Sequence, residues 1–221
     1  MRILYHLPLS PYSRKVRLAL AEKRLAFELR QENVWERRLD YLDLNPAGTV
    51  PTLEDNGLVI PGSAVITEYL EEAYPDTPLM GGKLANRVEV RRLVAWFDEK
   101  FAAEVTSRLT GEKYLKRLAQ RGPPDAAALR AGHSCLRDHL FYLGWLVEAQ
   151  PYVAGNSLSL ADLAAAAHLS VLDFTGDVDW SISPDAHAWY ARIKSRPSFR
   201  PLLTDKVPGF MPPAHYADLD F

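Results

Sequence analysis

The sequence predicts an α+β chain in two parts: a small domain ordered βαβ then ββα, and an all-α helical domain after it. Three observations carry this reading. Short runs of strand-forming residues at 3–6, 27–30, 52–54 and 58–60 flank one amphipathic stretch. Two prolines and two glycines crowd Tyr74-Pro75-Asp76-Thr77-Pro78-Leu79 and Gly81-Gly82, which is the composition of a linker. Beyond it Val90, Val94, Phe97, Phe101 and Val105 recur at spacings of three and four, one face of a long helix. The expected boundaries are a first domain at 1–78, a linker at 79–86, a helical domain at 87–207 and an extended tail at 208–221.

In the first domain, residues 3–6 read as a strand with Ile3 and Tyr5 on one face and Leu4 and His6 on the other. Pro8, Ser10 and Pro11 make a loop. A helix follows, with Val16, Ala19 and Leu20 on its apolar side and Arg14, Lys15 and Arg17 turned largely to solvent. A second strand at 27–30 completes a βαβ unit, which sets the two strands parallel with a right-handed crossover. Asp55-Asn56-Gly57 is a hairpin turn between 52–54 and 58–60. A helix at 64–74 closes the domain.

In the second domain, Asn86 with Glu89 resembles a capping box at the start of the long helix. Gly122-Pro123-Pro124-Asp125 breaks the chain, and Leu129, Leu136, Leu140, Leu143 and Val147 trace the core face of the next helix. Ser159 and Asp162 form the best-marked cap in the sequence, with Leu158 and Leu163 as a hydrophobic staple. The helix at 160–172 is apolar almost all round and is expected to be the buried axis of the domain. His168 upon it reads as a hydrogen-bonded core histidine rather than a ligand. Trp189, Tyr190 and Ile193 belong to a last helix that ends at Arg196-Pro197.

Composition narrows the function. The chain has 221 residues, 48% of them hydrophobic, which supplies a sizeable core. Its 26 basic and 28 acidic residues give a formal charge of −2, so no general attraction to nucleic acid or to an anionic membrane is expected. Pro8 and Pro11 stand where a signal peptide needs a longer apolar run, and the apolar stretch near 163–167 is too short to span a bilayer, so no membrane insertion is expected. Cys135 is the single cysteine, which excludes an intrachain disulfide and points to a reducing, cytoplasmic setting. No His, Cys and carboxylate set has metal-ligand spacing, and there is no Gly-rich phosphate loop.

The first domain is organised around Val50-Pro51. An X–Pro bond reaches the cis state at modest cost, and proline brings no donor to a strand ladder. A cis bond here would turn the N–H and C=O of Val50 outward, free to pair with an extended peptide. Behind Pro61-Gly62, Ser63 falls at a helix start, where free amides and the dipole favour a carboxylate. A backbone clamp beside an anion site suits a small acidic peptide, while a tight turn before a hairpin is the plainer role for the same residues.

Asn45-Pro46-Ala47-Gly48 with Val50-Pro51, followed by Ser63-Ala64-Val65-Ile66, resembles the glutathione-binding half of the cytosolic glutathione transferases. The βαβ then ββα order is the thioredoxin-like plan of that half, and the resemblance runs over about 1–203. It implies the glutathione-transferase fold, with Val50 pairing with the cysteinyl backbone of glutathione and Ser63 holding the γ-glutamyl carboxylate. It implies no cofactor, glutathione being a substrate or a weak ligand. That family usually carries Glu, Gln or Asp immediately before this serine, and Gly62 stands there instead, so weak or absent glutathione binding is expected. Ser10, aligned on Val16-Arg17, matches the family's catalytic position ahead of the first helix. A hydroxyl donating to sulfur favours the thiolate of a thiol whose ordinary pKa is about 8.5. Capping the helix is the other role open to Ser10 or Ser13. Tyr5 is a weaker catalytic candidate, expected in the core.

The stretches Arg91-Arg92-Leu93-Val94-Ala95-Trp96-Phe97-Asp98, Ser195-Arg196-Pro197-Ser198-Phe199-Arg200 and His215-Tyr216-Ala217-Asp218-Leu219-Asp220-Phe221 resemble one branch of the family. These are the glutathione-transferase-like division proteins of alphaproteobacteria, which bind filaments of the tubulin-like FtsZ. The resemblance implies a filament-binding adaptor with little chemistry; the alternative is a working glutathione transferase that uses Ser10. A homodimer is expected, as in most of the family. Trp35, set among Glu32, Glu36, Arg37 and Arg38, is either an interface aromatic or a cover for the domain edge. The tail, with Pro208, Pro212 and Pro213, is expected to run extended. Its Tyr216 and Phe221 would anchor it either on the chain's own helical domain or on the filament, and Asp220 would meet Arg196 or Arg200.

Overall fold

The computed structural model describes residues 1–219, and the chain divides into two compact units, Met1–Leu79 and Met80–Phe221. The first holds a four-stranded sheet in the order β2-β1-β3-β4. Strand β1 (Arg2–His6) pairs in parallel with β2 (Phe27–Gln31) through helix α1 (Pro11–Glu22). A short helix α2 (Leu39–Leu44) leads to β3 (Thr52–Asp55), antiparallel to both β1 and β4 (Leu58–Pro61), and α3 (Ser63–Ala73) closes the unit. Asn56 and Gly57 take positive φ of 51° and 84°, the backbone that a two-residue hairpin requires.

Helix α1 corrects one expectation. Arg14, Lys15 and Arg17 are buried, as are Val16, Ala19 and Leu20. Charge alone suggested a solvated face, but cations with fixed partners can be enclosed. Arg14 donates from Nε to the Pro8 carbonyl at 2.7 Å, tying the helix to the loop before it.

The second unit opens with one long helical segment, α4, at 84–118. Leu84–Ala95 is α-helical, and Trp96–Thr106 then follows the wider i→i+5 pattern. After an α turn, Ser107–Thr110, the pattern widens again over Gly111–Leu115 before Lys116–Leu118. The helix starts at Leu84, so Asn86 lies inside its first turn and is not the cap. Glu89 is engaged a turn further on, by two bonds from Arg92 at 2.8 and 2.7 Å. Val90, Phe97, Phe101 and Val105 are buried as expected, but Leu93 fills the core where Val94 is only half-buried. Val90, Leu93, Phe97, Phe101 and Val105 thus keep spacings of three and four through both patterns.

Asp125 caps α5 (Ala126–Val147), accepting from the amides of Ala127 and Ala128 at 2.7 and 3.3 Å. Every residue of α6 (Leu160–Phe174) is buried, which makes it the axis of the unit. Against it pack α4 and α7 (Pro184–Lys194), α5 packs in turn on α4 and α7, and α8 (Arg200–Leu203) follows. Gly144 permits the closest of these approaches: a Cβ there would collide with the Ser183 hydroxyl at the cap of α7. No helix among the described residues is long and apolar enough to cross a membrane.

Candidate functional site

The topology gathers the expected site residues at one end of the sheet. Tyr5 of β1 faces Thr52 of β3, and Thr52 in turn faces Pro61 of β4. The end of β1, the start of β3 and the end of β4 therefore lie together. That end carries the loop to Ser10, the Val50-Pro51 turn and the Gly62-Ser63 helix start. The Gly62 amide donates to the Pro51 carbonyl at 2.9 Å, which joins two of the three.

The Val50-Pro51 bond is cis. Its approach is built by residues that periodicity did not single out. The Tyr41 hydroxyl donates to the Thr49 carbonyl at 2.5 Å and lies 2.9 Å from Thr52 Oγ1. Asn45 donates to the same carbonyl at 2.7 Å and accepts from the Ala47 amide at 3.1 Å. The Thr49 carbonyl is thereby fixed, while no described residue pairs with the N–H or C=O of half-buried Val50.

Ser63 is the first residue of α3, buried, with the early amides of the helix lacking intrahelical acceptors. Gly62 ahead of it has φ 89° and ψ 132°, and a Cβ built there meets nothing within 4 Å. Space for a longer side chain exists, but the backbone conformation favours glycine.

Ser10 caps α1, its Oγ accepting from the Ser13 amide at 3.2 Å. Capping uses a lone pair and leaves the hydroxyl proton as a donor. Ser13 Oγ in turn accepts from the Leu7 amide at 3.4 Å. Tyr5 is buried in the core, donating to Glu54 Oε1 at 2.6 Å, and burial raises its pKa.

Glu32, absent from the expected site, lies at the same end of the sheet with its amide on the His6 carbonyl at 2.9 Å. It is buried, and Arg38 stands 3.3 Å from Oε2. Burial pushes its carboxyl above the ordinary value, opposed by Arg38. Half-buried Trp35 follows on the same loop.

The tail docks on its own unit. Tyr216 is 0% exposed, its hydroxyl donating to the Leu202 carbonyl at 3.2 Å and its ring edge-on to Phe174 at 5.2 Å. Tyr216 was expected as an anchor on this domain or on a partner, and burial removes it as a direct partner contact. Its neighbour His215 sits 3.1 Å from Asp173 Oδ1, and Lys194 donates to the His215 carbonyl at 2.9 Å. The tail also departs from a fully extended course, since Ala214–Ala217 forms a 3-10 turn after Pro213. Phe221 and Asp220 lie outside the described residues.

His168 is a core residue, its Nδ1 2.8 Å from Thr106 Oγ1. Among the described residues no group of three or more His, Cys, Asp or Glu is placed to hold a metal ion.

A thioredoxin-like sheet with a cis X–Pro turn beside a helix start, followed by a helical unit, defines a class. Models of the glutathione S-transferase N-terminal and C-terminal domains match residues 4–78 and 128–197. The chain belongs to the glutathione S-transferase family. Within it, the chain is 50% identical over 224 residues to FtsZ-localized protein A of Caulobacter vibrioides, covering 100% of this chain and 98% of that protein. A solved structure of FzlA from C. crescentus superposes with a TM-score of 0.96 at 50% identity, over 100% of this chain and 99% of that one. A crystal structure of a glutathione S-transferase from Rhodospirillum rubrum F11 superposes with a TM-score of 0.98 at 54% identity, over 100% of both chains.

Proposed function

We propose that this chain is a cell-division adaptor that binds FtsZ filaments on a glutathione-transferase scaffold, in the cytoplasm and as a homodimer, with weak or absent glutathione conjugation. The observation that carries the reading is its 50% identity, along its whole length, to a protein named for its localisation with FtsZ. Gly62 supports the second half of the reading: Val50, Pro51 and Ser63 can still meet glutathione, but no side chain at position 62 reaches its γ-glutamyl end. Of the aromatics expected to meet a filament, half-buried Trp35 remains open to one, since Tyr216 is taken up by the fold.

Two measurements on the purified chain test this. Co-sedimentation with polymerised FtsZ should saturate, and calorimetric titration with glutathione should give no micromolar binding. Micromolar glutathione affinity with no co-sedimentation overturns the proposal.

One feature favours a working transferase as the second reading. The Ser10 hydroxyl accepts from the Ser13 amide and keeps its own proton to donate to a thiolate. In that case Ser10→Ala lowers conjugation of a chromogenic electrophile by at least about tenfold, as expected for the loss of one hydrogen bond to a charged sulfur.

A further inference from the structure

The long helix α4 ends beside a groove to which neither reading gives a use. After Leu118 the chain turns through Gln120, at φ 53°, and Gly122 into Pro123-Pro124. The groove has a volume of about 530 Å³ and is lined chiefly by Lys113, Lys116, Arg117, Gln120, Pro123 and Pro124. Three of these side chains are cations and none is an acid. Arg121 follows, exposed. A chain of formal charge −2 thus concentrates positive charge over one short segment.

The three cations are held differently. Lys113 pairs with Asp177, and Lys116 lies 2.5 Å from Glu112 Oε2. Arg117 has no carboxylate among the described residues. Its guanidinium lies 4.8 Å from the centroid of the Phe210 ring, and that ring packs 4.7 Å from Tyr114. The ring holds the guanidinium on one side, while Arg117 remains exposed and its N–H donors stay open to a ligand. The carbonyls at the helix end, which would repel an anion, are partly taken up. Leu115 accepts from Ala119 at 2.9 Å and Lys116 from Arg121 at 2.8 Å. The proline pair adds an apolar wall with no amide donors.

We propose that this groove binds an acidic peptide segment of a partner protein. Arg117 takes one carboxylate as a fork, and Lys116 and Lys113 meet a second as point charges. The residues between the acids lie along Pro123-Pro124. A nucleic acid fits less well, because the whole chain carries net negative charge, Tyr114 is buried and the Phe210 ring already packs against Tyr114 and Arg117.

The test is fluorescence anisotropy on the full chain with a labelled peptide, Gly-Glu-Asp-Pro-Leu-Asp-Glu-Gly. Controls are the same peptide with Gln and Asn for its acids and a labelled oligothymidylate of equal charge. Saturable binding of the acidic peptide is expected, weakening as salt rises from about 50 to 200 mM. Gln120→Glu adds a like charge without changing side-chain size and should weaken binding about two- to fivefold, as expected for one exposed charge. Arg117→Gln should weaken it more. Arg117 touches Phe210, so its variant counts only if the melting temperature is kept; Gln120, whose side chain bonds to no described residue, decides otherwise. No binding up to about 1 mM, the weakest range of specific association, overturns the proposal. So do equal binding of the uncharged peptide, indifference to Gln120→Glu, or tighter binding of the oligonucleotide.

Discussion

Asp162 fastens three elements with one carboxylate. It accepts from the Ser159 amide and hydroxyl at 2.9 Å each, from the Val153 amide at 2.9 Å and from Trp189 Nε1 at 3.0 Å. Burial pushes this carboxyl above its ordinary value, and the donors pull it back. Asp162→Ala leaves those donors enclosed without an acceptor, and a loss of about 3–5 kcal/mol is expected by urea unfolding. The cap was legible because Ser159 and Asp162 are three residues apart. The Trp189 bond was not, because nothing local joins residues 27 apart in the chain. His139 went unread for the same reason: Trp96 Nε1 donates to its Nδ1 at 3.2 Å, and its Nε2 lies 2.9 Å from Glu104. Burial lowers the His139 pKa from 6.5, outweighing the pull of Glu104. With a folded pKa below the unfolded one, the unfolded chain takes up the proton first. Stability from this group is therefore complete above pH 6.5 and is lost as pH falls below that value. Melting temperature should fall between about pH 7.5 and 5.5, and His139→Gln should flatten that slope. An unchanged slope in the variant would assign the fall to other groups.

Among the elements, the hairpin and the turn ahead of α3 were the most legible, because Asn56, Gly57 and Pro51 each signal a backbone state locally. Gly62 adds a state that its neighbours did not announce. Both Gly62→Ala and Gly62→Glu put a Cβ at φ 89°, and each should cost about 1–3 kcal/mol in folding free energy. Only the glutamate variant should gain glutathione affinity by calorimetry; equal binding by both would mean that the missing side chain is not what weakens the site. The long helix was legible in its buried face, apart from Leu93 standing where Val94 was expected, whereas its i→i+5 stretches left no mark on the apolar spacing. The tail was legible as a docking segment but not in its destination. Tyr216→Phe removes the bond to the Leu202 carbonyl and should cost about 1 kcal/mol, whereas Tyr216→Ala opens a cavity and should cost about 3–5 kcal/mol. Little change in either, by chemical denaturation, would mean that the tail adds nothing to the fold.

At the scale of the molecule, each unit leaves apolar side chains uncovered. The first exposes Leu58, Val59 and Val65, and the second exposes Leu84 and Val88. Patches of this kind are commonly covered in symmetric dimers. Sedimentation velocity at micromolar concentration should give a dimer, and Val65→Glu or Val88→Glu should shift it toward monomer; a monomeric unchanged chain contradicts the expectation. Helix α6 has a different consequence. Its alanines, Ala161, Ala164, Ala165, Ala166 and Ala167, are all enclosed, so neighbouring helices close directly on its backbone. Thr106 of α4, Trp189 of α7 and His215 of the tail all bond to its side chains. Deuterium then has no partial route to its amides. They should be the last in this unit to exchange, at rates that report full opening of the unit rather than fraying of any one helix.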